Sequence, residues 1–276
     1  MGRVTTPVPP PPPDRETDTA QTVPDRRSAL RAGAGLAAGA FATACSRGGP
    51  VVHPVFPSRV TATHAQAAAP LPRAFPQQPG QIAHGPRNRP RVALTFHGQG
   101  DPALATSILH AAERANAKIT VLAVGTWLDE HPDIARRILD GGHDLGNHTQ
   151  RHLGINTMTE VDAFAEIQAC ADRLRRLTGS IGTWFRPSRA PRATPLVERL
   201  AGRAGYPHVL SYDVDSLDYT SPGASAITHK VLGEVRGGSV VSLHFGYADT
   251  VAAFPALLHE LDRRGLKAVT TTELLS

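Results

Sequence analysis

From Arg91 to the C-terminus the chain alternates between two hydrophobic periods, and this alternation restricts the fold more than any other feature. Val92-Ala93-Leu94-Thr95-Phe96 is a short apolar run, and Asp101-Pro102 then opens a helical pattern through Ile108, Leu109, Ala112 and Ala115. Asp caps the free amides of a first turn, and Pro fits there because its missing N–H would be unpaired anyway. Ile119–Val124 reads as a second strand, followed by a helix around Ile134, Ile138 and Leu139 that Gly141-Gly142 stops. Thr159 with Asp162 forms a capping-box pattern for a long helix from Val161 to Leu177. Further strands are expected near 183–186, 207–214, 239–244 and 267–271, with helices around 195–204, 224–235 and 251–264. Strands alternating with helices in this way imply βαβ units and a parallel sheet. The sheet either closes into a compact, incomplete barrel or stays open and doubly wound.

Strands in a parallel sheet point the same way, so polar residues at their ends gather on the face where such folds do chemistry. His148 and His152 follow Gly142-His143-Asp144-Leu145-Gly146, and Arg186 follows Trp184-Phe185. Asp215 ends Val209-Leu210-Ser211-Tyr212-Asp213-Val214, and His244 ends Val240-Val241-Ser242-Leu243. The pattern indicates an enzyme or the descendant of one. His148 and His152 are four apart, so one helical turn would aim both imidazoles at a point where zinc could sit; the plain alternative is a pair of hydrogen-bonded loop histidines. No phosphate loop is present, because Gly98-Gln99-Gly100 lacks the dinucleotide spacing and the P-loop lysine.

The first part of the chain reads differently. Pro7–Pro13 is nearly all proline, and Asp25-Arg26-Arg27-Ser28 precedes a weakly apolar run from Ala32 to Ala44. That run is too short and too rich in Ala and Gly for a membrane span. A twin arginine ahead of such a run reads as an export signal, covering 1–45. Cys45 after Ala42-Thr43-Ala44 resembles a lipobox, with lipidation, simple cleavage and an uncleaved anchor as the alternatives. Residues 46–88, rich in Pro, Ala, Arg and Gln, are expected to be a disordered tether to a folded domain at 89–276. On these readings the protein is expected to be exported and extracytoplasmic, a membrane-anchored lipoprotein or else secreted; separately, a monomer is expected. Contact with a membrane would come only through a lipid or signal anchor. Only Cys170 remains in the folded part, so a disulfide scaffold is excluded. The net charge of +5 lacks an aromatic-plus-basic pattern, so nucleic acid is not an expected partner and the charge is read as solvated surface.

Taken together, Val124-Gly125, Gly142-His143-Asp144-Leu145-Gly146-Asn147-His148-Thr149-Gln150-Arg151-His152, Phe185-Arg186-Pro187, Val214-Asp215-Ser216-Leu217-Asp218-Tyr219 and Ser242-Leu243-His244 resemble the polysaccharide deacetylase family. It is also called the NodB-homology family or carbohydrate esterase family 4. The resemblance spans 88–276 and implies an α/β fold, a distorted (β/α) barrel of roughly seven or eight strands. It also implies removal of N- or O-acetyl groups from glycans such as peptidoglycan or chitin oligomers, with a divalent metal, zinc being expected. It assigns metal binding to His148 and His152, the general acid to His244, and orientation of the base to Arg186. Asp215 is expected to hold the His244 imidazolium, with Asp213 and Asp218 as competitors. Tyr219 is a candidate groove wall.

The first motif departs from the family. Where members carry Thr-Phe-Asp-Asp-Gly, this chain reads Thr95-Phe96-His97-Gly98-Gln99-Gly100, so both carboxylates are missing. Asp101 is expected to cap a helix rather than replace them. His97 is then the general base, or a third metal ligand beside His148 and His152 that leaves one position open for water, or a relic of lost activity. Without its acidic partner, Arg186 is expected either to meet an anionic substrate group or to bond loop carbonyls. The expected function is therefore deacetylation of a cell-envelope or extracellular glycan, and the competing class is a glycan-binding lipoprotein on the same scaffold.

Overall fold

The computed structural model describes residues 69–276. The export signal, the lipobox and residues 46–68 of the expected tether lie outside the described residues. The strands are β1 (Gln81–Ile82), β2 (Arg91–Gly98), β3 (Thr120–Ala123), β4 (Asp144–Asn147), β5 (Val209–Leu210), β6 (Val214–Asp215), β7 (Val240–His244) and β8 (Lys267–Val269). All pair in parallel, in the order β4-β3-β2-β7-β6 with β8 also beside β2, while β1 pairs with β5. β2 is central and buried from Val92 through Gly98, which is why it reads as an unbroken apolar run rather than an alternating one.

The strand expected at 183–186 is reduced to one residue. Phe185 alone bridges Asn147 on one side and Val209 on the other, linking the larger sheet to β5. These two single parallel bridges take the place of regular pairing there; a separate antiparallel bridge joins His84 to Ser239. The expected parallel α/β architecture is present, and its ladder of hydrogen bonds is interrupted rather than continuous.

Helices cover the outside, and local chemistry sets their ends. Asp101 accepts from Ala103 N–H at 2.8 Å and starts the helix Pro102–Arg114, so it is the cap that the sequence suggested. Thr159 accepts from Asp162 N–H at 3.2 Å and starts Glu160–Thr178, one residue longer at each end than expected. Gly179 closes that helix at φ +80°, where a side chain would be strained. Between sheet and helices, Phe96 stacks on Phe245 at 5.0 Å and meets Phe254 edge-on at 5.3 Å.

The domain begins before residue 89, which corrects the expected boundary. Phe75 stacks on Trp184 at 5.6 Å, its N–H donates to His208 Nε2 at 2.9 Å, and Ala69 N–H donates to Thr178 O at 3.2 Å. Phe75 and Ile82 thus fill one end of the sheet interior with Leu122, Leu210, Val240 and Leu274. Periodicity missed this segment because it is held by separate anchors, not by a regular face.

Candidate active site

The strand register brings the site together. His97 on β2 pairs directly with His244 on β7, and their rings stack at 4.3 Å. β3 separates β2 from β4, and His148 follows the last residue of β4. The His97 and His148 rings meet edge-on at 4.4 Å, and His148 lies 4.9 Å from His152.

No helical turn joins His148 to His152, contrary to expectation. The segment is a loop in which Thr149 and His152 adopt φ of +68° and +56°. Such backbone is uncommon outside glycine and needs support. Asn147 supplies part of it, accepting Thr149 N–H at 2.8 Å while its amide donates to Ile167 O and Tyr206 Oη. Glu166 supplies the rest, accepting Arg151 N–H at 2.8 Å and its guanidinium Nε–H at 2.6 Å. Neither residue was a candidate from sequence. Asn147 stood inside the histidine motif, but Glu166 gave no signal beyond being a carboxylate on a buried helix face.

Proton positions follow from the partners. His148 Nδ1 lies 3.0 Å from Arg186 O, and a carbonyl only accepts, so Nδ1 carries the hydrogen and Nε2 keeps its lone pair. His97 Nδ1 lies 2.8 Å from that Nε2 and therefore donates to it. His97 Nε2 then accepts, with Ser242 Oγ at 3.1 Å and Arg186 Nη1 at 3.4 Å. Burial first, then the neighbouring histidines, holds His97 and His148 well below the usual imidazole range. Burial, Arg189 and His244 push His152 down to about 4. All three rings are neutral donors at ordinary pH.

One donor atom from each of His97, His148 and His152 falls within 4.8 Å of the others, forming a group that could hold a cation. Three neutral imidazole nitrogens fit zinc or a similar transition metal and do not fit magnesium or calcium, which take oxygen. Gly98 adds no fourth ligand. A Cβ there would approach Val121 Cγ1 to 2.9 Å and Trp127 Cζ3 to 3.2 Å, so the side chain of the family's second aspartate has no room.

Asp215 does not hold His244; Asp218 does. Its Oδ1 lies 2.6 Å from His244 Nδ1, and Oδ2 accepts His244 N–H and Thr250 Oγ1–H, both at 2.7 Å. Asp215 accepts from Leu217 N–H at 3.1 Å instead, and Asp213 pairs with Arg87 at 2.7 Å. Arg186 is fully buried and gives Nε–H to Leu210 O and Nη2–H to Ser211 O, at 3.1 and 3.0 Å. It therefore has no access to a substrate anion, and burial lowers its pKa to about 10.

A cavity of about 380 Å³ opens over these groups, walled by His97, His152, Asp215, Tyr219, His244 and Tyr247 among others. A second cavity, of about 410 Å³, shares Gln99, His152 and Tyr247 with it and continues past Trp127. A larger one of about 560 Å³ lies between Ala117, Leu258 and Lys267, at the opposite ends of the strands, and includes none of His97, His148, His152 and His244.

The domain is thus a parallel α/β fold that carries a histidine trio and an Asp–His pair at its strand ends. A family model described as polysaccharide deacetylase matches residues 84–209. A peptidoglycan-N-acetylglucosamine deacetylase of Bacillus cereus is 30% identical over 194 residues, covering 69% of this chain and 90% of the relative. A solved peptidoglycan N-acetylglucosamine deacetylase, in complex with 4-naphthalen-1-yl-N-oxidanyl-benzamide, superposes with a TM-score of 0.67 at 26% identity, covering 71% of this chain and 92% of that one. A carbohydrate esterase family 4 pseudoenzyme from Bacillus anthracis, with a TM-score of 0.68 at 23% identity over 72% of this chain and 70% of its own, shares the fold. The chain belongs to the polysaccharide deacetylase family.

Proposed function

We propose that the protein is a metal-dependent deacetylase that hydrolyses acetyl amides, or esters, on a cell-envelope or extracellular glycan. The observation that carries this reading is the convergence of His97, His148 and His152 beside the Asp218–His244 pair, with His97, His152 and His244 lining one cavity. His97, His148 and His152 would hold a divalent cation, zinc suiting them best, and when bound it supplies Lewis-acid polarisation of the acetyl carbonyl. Asp218 fixes the ring of His244, so that His244 Nε2 faces the cavity and protonates the departing amine. Asp215, the carboxylate on the cavity wall, takes the proton released by the attacking water. Tyr219 is 46% exposed and offers a face for a sugar ring. The two adjoining cavities favour a glycan that continues on both sides of the reacting acetyl group. The substrate is then peptidoglycan, in keeping with the relatives' names, or a chitin-like oligomer.

Acetate release from N-acetylglucosamine oligomers, peptidoglycan and acetylated xylan, with zinc and then with chelator, tests the reading. Zinc-dependent release is expected. A second reading, glycan binding without hydrolysis, is favoured by one observation: no carboxylate stands at position 97 or 98, and Arg186 is committed to carbonyls. Retained glycan binding without acetate release in any metal would select it. Export as a monomer, with a lipid on Cys45 or a signal anchor, completes the proposal on the twin arginine and lipobox-like residues. Loss of fatty-acid labelling in Cys45→Ser would support the lipid.

A further inference from the structure

His97 Nδ1 is claimed twice. Its N–H points at His148 Nε2 over 2.8 Å, yet each of these residues would offer one ring nitrogen to a single cation, and for His97 the one turned toward His148 is Nδ1. For His97 to ligate through Nδ1, that nitrogen must give up its hydrogen and Nε2 must carry one instead. The ring stays neutral: Nδ1 loses one proton to solvent and Nε2 gains one. What surrounds Nε2 decides whether this exchange is allowed.

Two groups face Nε2 among the described residues, Ser242 Oγ at 3.1 Å and Arg186 Nη1 at 3.4 Å. A guanidinium has donors only, so an Nε2–H would point at another N–H. Arg186 cannot turn away, because its Nε and Nη2 are bonded to Leu210 O and Ser211 O. A serine hydroxyl differs, because it rotates and accepts as readily as it donates. Ser242 is 1% exposed although it borders the cavity, so its hydroxyl is the protein's own acceptor for an Nε2–H. We propose that Ser242 is the positioning residue that lets His97 change tautomer and so ligate a divalent transition-metal cation, while Arg186 opposes the change. This rests on the metal-site reading above and adds a residue that acts through His97 rather than on the cation or the glycan.

The test is zinc affinity of the metal-stripped full chain, measured by competition with a chromophoric chelator. The set is wild type, Ser242→Ala, Ser242→Thr, His97→Ala and the Ser242→Ala/His97→Ala pair. Ser242→Ala is expected to weaken zinc by about 10–100-fold, as losses of groups supporting a ligand histidine do. Ser242→Thr, which keeps the hydroxyl, should restore wild-type affinity. In the pair, Ser242→Ala should add nothing once His97 is gone, which a double-mutant cycle reads directly. Ring ¹⁵N spectra of the wild type should show the His97 hydrogen on Nδ1 without zinc and on Nε2 with it, so the proposal stays testable even if Ser242→Ala folds poorly. Undiminished affinity in Ser242→Ala beside a weakened His97→Ala would overturn the proposal alone. A wild type that binds no zinc would remove the metal-site reading and this inference together.

Discussion

Asp218 grips His244 at two points, by its ring nitrogen at 2.6 Å and by its backbone N–H at 2.7 Å, and Thr250 holds the same carboxylate. An imidazole tied in this way has one free nitrogen and one orientation. Asp218→Asn would favour the wrong tautomer while keeping the shape. Acetate release is expected to fall by roughly 10²–10⁴, in the range of general acid–base contributions. The loss should appear in kcat with zinc affinity unchanged. Asp215→Asn should lower kcat while leaving the ring of His244 fixed; a null effect there would remove Asp215 as proton acceptor.

His148 has no exposed atoms and an unshared pair directed into the site. His148→Ala should weaken zinc by more than the roughly 10–100-fold typical of supporting residues. Chelation of the wild type should abolish acetate release, and added zinc should restore it. Equal zinc affinity in His148→Ala would show that the cation binds elsewhere.

Gly98 is closed in by Val121, Ala123 and Trp127. Gly98→Ala should destabilise the domain by about 1–3 kcal/mol, the usual penalty for overfilling a packed site. Gly98→Asp should cost more, because it also buries a charge. Urea midpoints check both; an unchanged midpoint for Gly98→Ala would mean the strand yields.

Acid should weaken the metal-stripped protein. Burial keeps His97 and His148 well below 6.5 and sets His143 and His152 at about 4, so each is neutral when folded. In the unfolded chain they protonate near 6.5, so between there and about 4 the unfolded state binds more protons and stability falls as pH falls. Each fully buried histidine contributes a slope of up to about 1.4 kcal/mol per pH unit, and His152, partly exposed, contributes less. Urea unfolding at pH 7.5 and pH 5 measures this. A flat profile would contradict the neutral, buried histidines.

Phe75 sits between Trp184 and His208. Phe75→Ala should cost about 3–5 kcal/mol, as for other buried aromatic truncations. A chain cut at residue 89 should lose at least as much, measured by its melting temperature against one starting at residue 69.

Much of this was readable from residue order, and what was missed shares a cause. Asp101 and Thr159 were legible as caps because a cap is a contact between residues two or three apart. The sheet was legible because β2 and β7 announce burial on both faces. The roles of Asp215 and Asp218 were not, because Leu217 at φ +55° and Ser221 at φ +51° turn the chain and present Asp218 instead. His148 and His152 were found for a spacing that the backbone does not use, since Asn147 and Glu166 hold a loop where a helix was expected. Phe75 lay in a segment with no period at all, and only its distant partners give it a place.

Arg186 fastens His148 with its carbonyl and approaches His97 with its guanidinium. One residue thus touches both rings through different groups, so shortening its side chain would release His97 while leaving the carbonyl hold on His148 in place.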